Sequence, residues 1–257
     1  MGRKRVLAGR EAELLALFQN GIDLQSIAKS FGVSASTVAL ELDRLGARKQ
    51  IRQVDILRGF EQMRKHPDFS FVLGMIWGVG SLIGDKFVIR HKNRQIIDWI
   101  HSLLKLAYVP EPYLVRGRPT IQIRMTHPLF RFLMDAGWIG RKSEGRDIPQ
   151  CELDMRSFVC GYVRVHHSLN WSRNKVRKIP YLRLRIYGPP AIIEKMSDHL
   201  TEWTGVGRKN LHPHSISEKM VTIEYSKRDE VEILCGFLGL QIPEKPTIPE
   251  IKEGESI

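Results

Sequence analysis

Two pairs of histidines are the side chains best able to do chemistry. His166 and His167 are adjacent in the segment GYVRVHHSL, and His212 and His214 flank a proline. Imidazoles can act as general bases or bind zinc. Adjacent residues on a helix point about 100° apart, so the rings of the first pair do not converge on one ion. The second pair has no cysteine or third ligand nearby, and we predict neither a metal site nor a cofactor.

A second group consists of basic and amide side chains that alternate with apolar ones. Alternation in 120–125 and 181–186, and less cleanly in 86–90, is typical of strands with one buried face. The polar face would carry Lys86, Arg90, Gln122, Arg124, Tyr181, Arg183 and Arg185. The neighbouring segment NWSRNKVRK adds Trp171, Arg173, Lys175, Arg177 and Lys178. Because a solvated charged face would carry both signs and acidic side chains are scarce among these residues, they predict contact with DNA.

The charge distribution favours the same partner. The chain of 257 residues has 40 Lys and Arg against 28 Asp and Glu, a formal net charge of +12. Residues 67–228 hold 26 of these basic side chains and 14 of the acidic ones, whereas residues 229–257 are net acidic. Polyanions bind such a basic region with release of counterions.

An internal duplication must position these residues. FVLGMIWGVGSL at 71–82 matches FVCGYVRVHHSL at 158–169, and FVIRHKNRQIIDWIHSLL at 87–104 overlays RLRIYGPPAIIEKMSDHL at 183–200. The second overlay pairs apolar residues at amphipathic helical spacing. These pairs are Ile96 with Ile192, Ile97 with Ile193, Ile100 with Met196 and Leu104 with Leu200. Each half therefore predicts the order helix, strands, helix, strands, helix.

This duplicated pattern resembles the single-chain LAGLIDADG homing endonucleases. The resemblance spans roughly residues 69–240 and implies an α+β fold, a pseudo-two-fold αββαββα scaffold, with the strands forming a saddle in the DNA major groove. In that family the two motif helices pack side by side on the axis. Gly74, Gly78 and Gly161 fit such an interface, because glycine lets helix backbones approach closely.

The catalytic positions of the family depart from its pattern. The resemblance implies one carboxylate at the end of each motif helix, and the two together hold a divalent metal for phosphodiester hydrolysis. Val79 and His166 occupy those positions here, and Trp77 and Arg164 stand two residues earlier. Valine offers no lone pair, and magnesium requires oxygen ligands. We therefore expect no catalytic residues and a scaffold that binds without cutting.

The amino-terminal residues predict a helix-turn-helix unit. Helical spacing at 10–18, a helix from the capping Asp23, a turn at 32–34 and a third helix capped by Ser34 or Ser36 match this motif. Its candidate DNA contacts are Ser36, Thr37, Arg44 and Lys49. Few of its outward residues are typical base readers, so the unit could bind DNA phosphates and thymine methyls or dock a protein partner.

These features give five segments. They are a helix-turn-helix domain at 1–47, a basic linker at 48–68, the two repeats at 69–150 and 151–241, and a disordered acidic tail at 242–257. No apolar run reaches the roughly 18 residues of a membrane span, so no membrane partner is expected. Three cysteines without metal spacing, Cys151, Cys160 and Cys235, suit a reducing compartment that contains DNA, such as a bacterial cytoplasm with its nucleoid.

The leading hypothesis is a sequence-specific DNA-binding regulator, a monomer with internal two-fold pseudosymmetry. WhiA-type bacterial regulators resemble it in their parts, although they carry the helix-turn-helix after the scaffold. One alternative is an active homing endonuclease with atypical metal ligands. Another is an RNA splicing maturase, against which the helix-turn-helix argues, because the major groove of RNA is too narrow for side chains to read.

Overall fold

The computed structural model describes residues 7–20, 22–139, 146–173, 180–214 and 217–246. The chain divides into two compact units, residues 1–62 and residues 63–257. The first unit contains the helices α1 (Glu11–Gln19), α2 (Leu24–Phe31) and α3 (Ala35–Arg44). Helix α4 (Ala47–Arg64) begins in this unit and ends just after its last residue. Helix α4 thus covers most of the predicted linker at 48–68, and the role of this segment as a linker stays a prediction.

Local capping fixes the helices of the first unit. The Asp23 carboxylate accepts hydrogen bonds from the backbone N–H groups of Gln25 and Ser26 at the start of α2. Gly32 ends that helix in the left-handed region, at φ 68°, which favours glycine. Ser34 then caps α3 by accepting from Thr37 N. Buried apolar side chains of α1, α2 and α3 form the core of this unit, among them Leu14, Ile27, Val38 and Leu42.

The second unit repeats one sequence of elements. The first copy is α5 (Phe69–Val79), β1 (Gly80–Ile83), β2 (Lys86–Arg90), α6 (Arg94–Leu104), β3 (Tyr113–Val115), β4 (Arg118–Arg124) and α7 (Pro128–Asp135). The second copy is α8 (Met155–Val165), β5 (His167–Arg173), β6 (Pro180–Gly188), α9 (Pro190–Thr204), β7 (His212–His214), β8 (Ser217–Tyr225) and α10 (Arg228–Leu238). The predicted duplicated αββαββα fold is confirmed.

Each repeat forms one antiparallel four-stranded sheet, in the orders β1-β2-β4-β3 and β5-β6-β8-β7. One face of each sheet is apolar, because alternate residues such as Phe87 and Ile89, or Leu184 and Ile186, are buried. The apolar positions that the sequence pairs in α6 and α9 are all buried as well. The opposite, outer face of each sheet carries polar side chains, together with the buried Val88 in the first sheet.

The two motif helices, α5 and α8, pack against each other at glycines. A Cβ atom added to Gly161 would overlap the carbonyl oxygen of Phe71. One added to Gly74 would overlap the carbonyl oxygen of Phe158, and one added to Gly78 would lie 2.6 Å from Cδ2 of His166. The helix backbones thus touch directly, and this contact joins the two repeats.

The carboxyl-terminal segment is partly packed. Residues 242–246 belong to the described chain, and the carbonyl oxygen of Pro243 accepts a hydrogen bond from Trp171 Nε1 at 2.9 Å. Residues 247–257 lie outside the described ones, and disorder of the predicted tail stays a prediction. Among the described helices, none is both long and apolar enough to cross a membrane.

Candidate nucleic-acid interface

The outer face of the first sheet holds a group of cations and an amide. Lys86 on β2 lies directly opposite Arg124 on β4, and both are exposed. Gln122 lies opposite the buried Val88. At the next position on this face, Arg90 Nε donates to Thr120 Oγ1 at 3.2 Å. The structure thus brings the four predicted residues of this sheet onto one surface.

The outer face of the second sheet carries two arginines and one glutamate. Arg183 and Arg185 alternate with buried leucines on β6, and Tyr181 lies on the same face. Glu224 on β8 is the partner of Arg185 in the strand register. Its Oε2 lies 2.8 Å from Arg185 Nε and 3.9 Å from Arg183 Nη1. Sequence reasoning missed Glu224, although its place between the buried Ile223 and Tyr225 gives the same alternation signal.

Trp171 does not belong to this surface. Asn170, its neighbour on β5, is paired with Arg183, so the outer face contains Asn170, and Trp171 opposes the buried Leu182. The indole of Trp171 instead binds Pro243 through the hydrogen bond described above. Because successive strand residues point to opposite faces, Trp171 lies on the other face of the sheet from Arg183 and Arg185, and its contact with DNA stays a prediction.

Lys175, Arg177 and Lys178 lie outside the described residues, as do the side chains of Arg173 and Lys49. Their contribution to DNA binding stays a prediction.

The third helix of the first unit offers a less basic surface than the sequence suggests. Ser34 Oγ lies 2.7 Å from Ser36 Oγ and 2.9 Å from Thr37 Oγ1, so these hydroxyls form a local cluster at the helix start. Arg44 lies 2.8 Å from a carboxylate oxygen of Glu41, and Glu11 is within 3.9 Å. A phosphate would have to compete with two carboxylates for this guanidinium.

The ends of the two motif helices meet beside the crossing. Val79 ends α5 and is buried, and His166 follows the last residue of α8. His166 Nε2 donates to the carbonyl oxygen of Gly78 at 2.9 Å, and its ring stacks on Tyr162 with centroids 4.8 Å apart. His167 Nδ1 instead lies 2.8 Å from the carbonyl oxygen of Val163. The two imidazoles face different partners, and burial lowers the pKa of His167.

A buried arginine, which sequence reasoning missed, also reaches the end of α5. Arg146 lies in the segment between the repeats and is 2% exposed. Its Nη1 donates to the carbonyl oxygen of Trp77 at 2.6 Å, and its Nη2 donates to that of Ile139 at 2.7 Å. The guanidinium stacks over the ring of Trp138 at 4.5 Å. Burial lowers the pKa of Arg146 to about 10, and no carboxylate among the described residues forms an ion pair with it.

These helix ends do not fit a divalent metal ion. Magnesium and calcium require several oxygen ligands, and neither motif supplies a carboxylate. The carbonyl oxygens of Trp77 and Gly78 already accept hydrogen bonds from Arg146 and His166. The cationic guanidinium would also repel a second cation. Within the described ranges, no three His, Cys, Asp or Glu side chains lie close enough together to hold a metal ion. His212 and His214 therefore belong to no such group.

No protein-family model matches the chain, and no curated protein is similar to it. Solved structures similar to it include the LAGLIDADG homing endonuclease I-GzeII in complex with its DNA target, at 11% identity and a TM-score of 0.46 over 67% of this chain and 84% of that one. Meganuclease I-SmaMI bound to uncleaveable DNA matches at 11% identity, a TM-score of 0.47 and coverage of 67% and 83%. LAGLIDADG meganuclease I-AabMI bound to uncleaved DNA matches at 16% identity and a TM-score of 0.44, over 67% of this chain and 84% of that one. Over about two thirds of its length, the chain is similar to these LAGLIDADG homing endonucleases.

Proposed function

We propose that the protein binds double-stranded DNA through the outer faces of its two sheets, without cutting it, as a sequence-specific regulator. One observation carries the proposal. The polar face of each repeat presents two cations, Lys86 and Arg124 on the neighbouring strands β2 and β4 in the first and Arg183 and Arg185 along β6 in the second. Because the repeats are joined through a close helix contact, the two faces belong to one rigid unit.

The electrostatics support a polyanionic partner. Lys86 and Arg124 face each other across the strands, and like charges in that position destabilise a sheet. Neither side chain forms an ion pair with another described residue. Phosphates between or beside them would relieve this repulsion and release counterions from the duplex. Arg and Gln side chains on the same faces could contact base edges.

A salt titration tests the role of this cation pair. We expect Lys86→Gln and Arg124→Gln each to weaken duplex binding and to reduce the slope of log affinity against log salt by about one unit, since each removes one phosphate contact. Affinity would be measured by fluorescence anisotropy between 50 and 300 mM salt, values chosen as roughly the range over which such slopes are resolved. Arg228→Gln, an exposed arginine on α10 paired with Glu232, makes the same charge change away from the sheets. Slopes that change equally in all three variants would contradict a specific contact.

The helix ends give a second prediction. We expect the protein to slow the migration of duplex DNA in a gel and to leave the DNA uncut in either magnesium or manganese. The reason is that Val79 supplies no metal ligand and Arg146 holds a positive charge at the end of α5. A randomised duplex library would be incubated with the protein and each metal, and new ends would be sequenced. Specific cut products that vanish with a chelator would establish an active endonuclease instead. Retention of structured RNA in preference to the duplex would favour a maturase.

A further inference from the structure

One row of outer-face positions is equivalent in the two sheets. In the first sheet, the strand register places Ser81, Val88 and Gln122 side by side on β1, β2 and β4. In the second sheet, it places Ser168, Arg185 and Glu224 side by side on β5, β6 and β8. The two serines occupy the same place in the duplicated sequence, each followed by leucine. Gln122 and Glu224 therefore hold corresponding positions in the two halves of the unit.

The side chains of Gln122 and Glu224 have nearly the same shape but form different hydrogen bonds. A glutamine amide can donate and accept, and it pairs with the N6 and N7 atoms of adenine in the major groove. A glutamate carboxylate only accepts, and its matching group is the N4 amino group of cytosine. A duplex lying on both faces would meet an amide in one half and a carboxylate in the other.

The surroundings of Glu224 favour contact with bases over contact with phosphate. Its side chain is 32% exposed, and the Arg185 Nε–H that it accepts keeps it at the surface of the sheet. A carboxylate repels a phosphate and would raise the energy of a backbone placed on this row. Arg185 is 40% exposed, and its terminal nitrogens remain able to donate to the O6 and N7 atoms of guanine. The pair is thus suited to neighbouring guanine and cytosine bases.

We propose that Gln122 and Glu224 are specificity-determining residues that make the two halves of the DNA site unequal. Gln122 selects adenine in one half, and Glu224 selects cytosine in the other, beside a guanine bound by Arg185. This inference rests on the proposed function. It predicts a target with approximate two-fold symmetry that breaks at this pair of positions.

Reciprocal substitution tests it. The wild type, Glu224→Gln and Gln122→Glu would each be taken through selection from a randomised duplex library, followed by affinity measurements on the selected duplexes. We expect Glu224→Gln to change the preference from cytosine to adenine at one position, and Gln122→Glu to make the opposite change at the symmetry-related position, each by about 10-fold. Glu232→Gln, which removes an exposed carboxylate on α10, should leave every preference unchanged.

The possible failures are distinguishable. If the wild type enriches no duplex, the proposed function is overturned. If it enriches a site whose base preferences are the same in both variants, Glu224 serves only to hold the arginines, and the inference of unequal reading is overturned. An equal rise in the affinity of Glu224→Gln for every sequence would be the effect of lost negative charge and would overturn it too. Melting temperatures of the variants show whether they are folded.

Discussion

Gly161→Ala is expected to lower the free energy of unfolding by about 3 kcal/mol or more, the upper part of the range for overpacking. The added methyl group would overlap the carbonyl oxygen of Phe71, and backbone atoms cannot move aside as a flexible side chain can. The two motif helices must separate to admit it. Urea unfolding followed by circular dichroism would measure the loss as a lower midpoint with an unchanged slope.

Gly236→Ala is the matched control, because it makes the same substitution inside α10 where a new Cβ atom meets nothing within 4 Å. Alanine has the higher helix propensity, so this variant should be more stable by up to about 1 kcal/mol. Equal stability of Gly161→Ala and the wild type would show that the helices do not cross at Gly161 and would remove the basis for a rigid two-fold unit.

Arg146→Ala is expected to destabilise the protein by about 3 kcal/mol or more, because two hydrogen bonds from a charged donor are each worth roughly 1.5–3 kcal/mol. The substitution leaves the carbonyl oxygens of Trp77 and Ile139 without that donor and removes the guanidinium from the face of Trp138. Thermal and urea unfolding would be compared with those of the wild type.

Arg146→Lys keeps the positive charge but cannot donate in two fixed directions, so we expect an intermediate loss. Arg228→Ala provides the exposed control, and its pair with Glu232 should contribute no more than about 1 kcal/mol. If Arg146→Ala were as stable as the wild type, the guanidinium would not hold the end of α5, and the argument that its charge excludes a metal ion there would fail.

Alternation and duplication predicted the scaffold but not every position on it. The apolar faces of α6 and α9 follow from short-range periodicity, which can be read without knowledge of the tertiary structure, and the glycines of the helix contact follow from the duplication and the family resemblance. The overlay of residues 87–104 on 183–200 sets Phe87 against Arg183, whereas the strand register makes Ile89 equivalent to Ile186. The connections from strand to helix differ by one residue, and a shift of one residue exchanges the faces of a strand.

Two features of the site lay beyond sequence reasoning for different reasons. Trp171 was grouped with its basic neighbours by proximity along the chain, which does not decide the face of a strand. Arg146 follows a segment without apolar periodicity. Its partner Trp77 is far from it along the chain, and its partner Ile139 lies in no helix or strand. Only the folded chain shows that an arginine is buried there, because an isolated Arg is most often exposed.

The backbone contact between α5 and α8 also bears on the helical phase of the DNA. Helices that touch through Gly74 and Gly161 cannot slide or spread, so the distance and angle between the two sheets are fixed. One base pair inserted at the centre of a target would rotate one half of the site by about 35° and move it about 3.4 Å. In the proposed complex, the protein cannot follow that change. The number of base pairs between the half-sites would then be part of the recognised signal, together with the bases themselves.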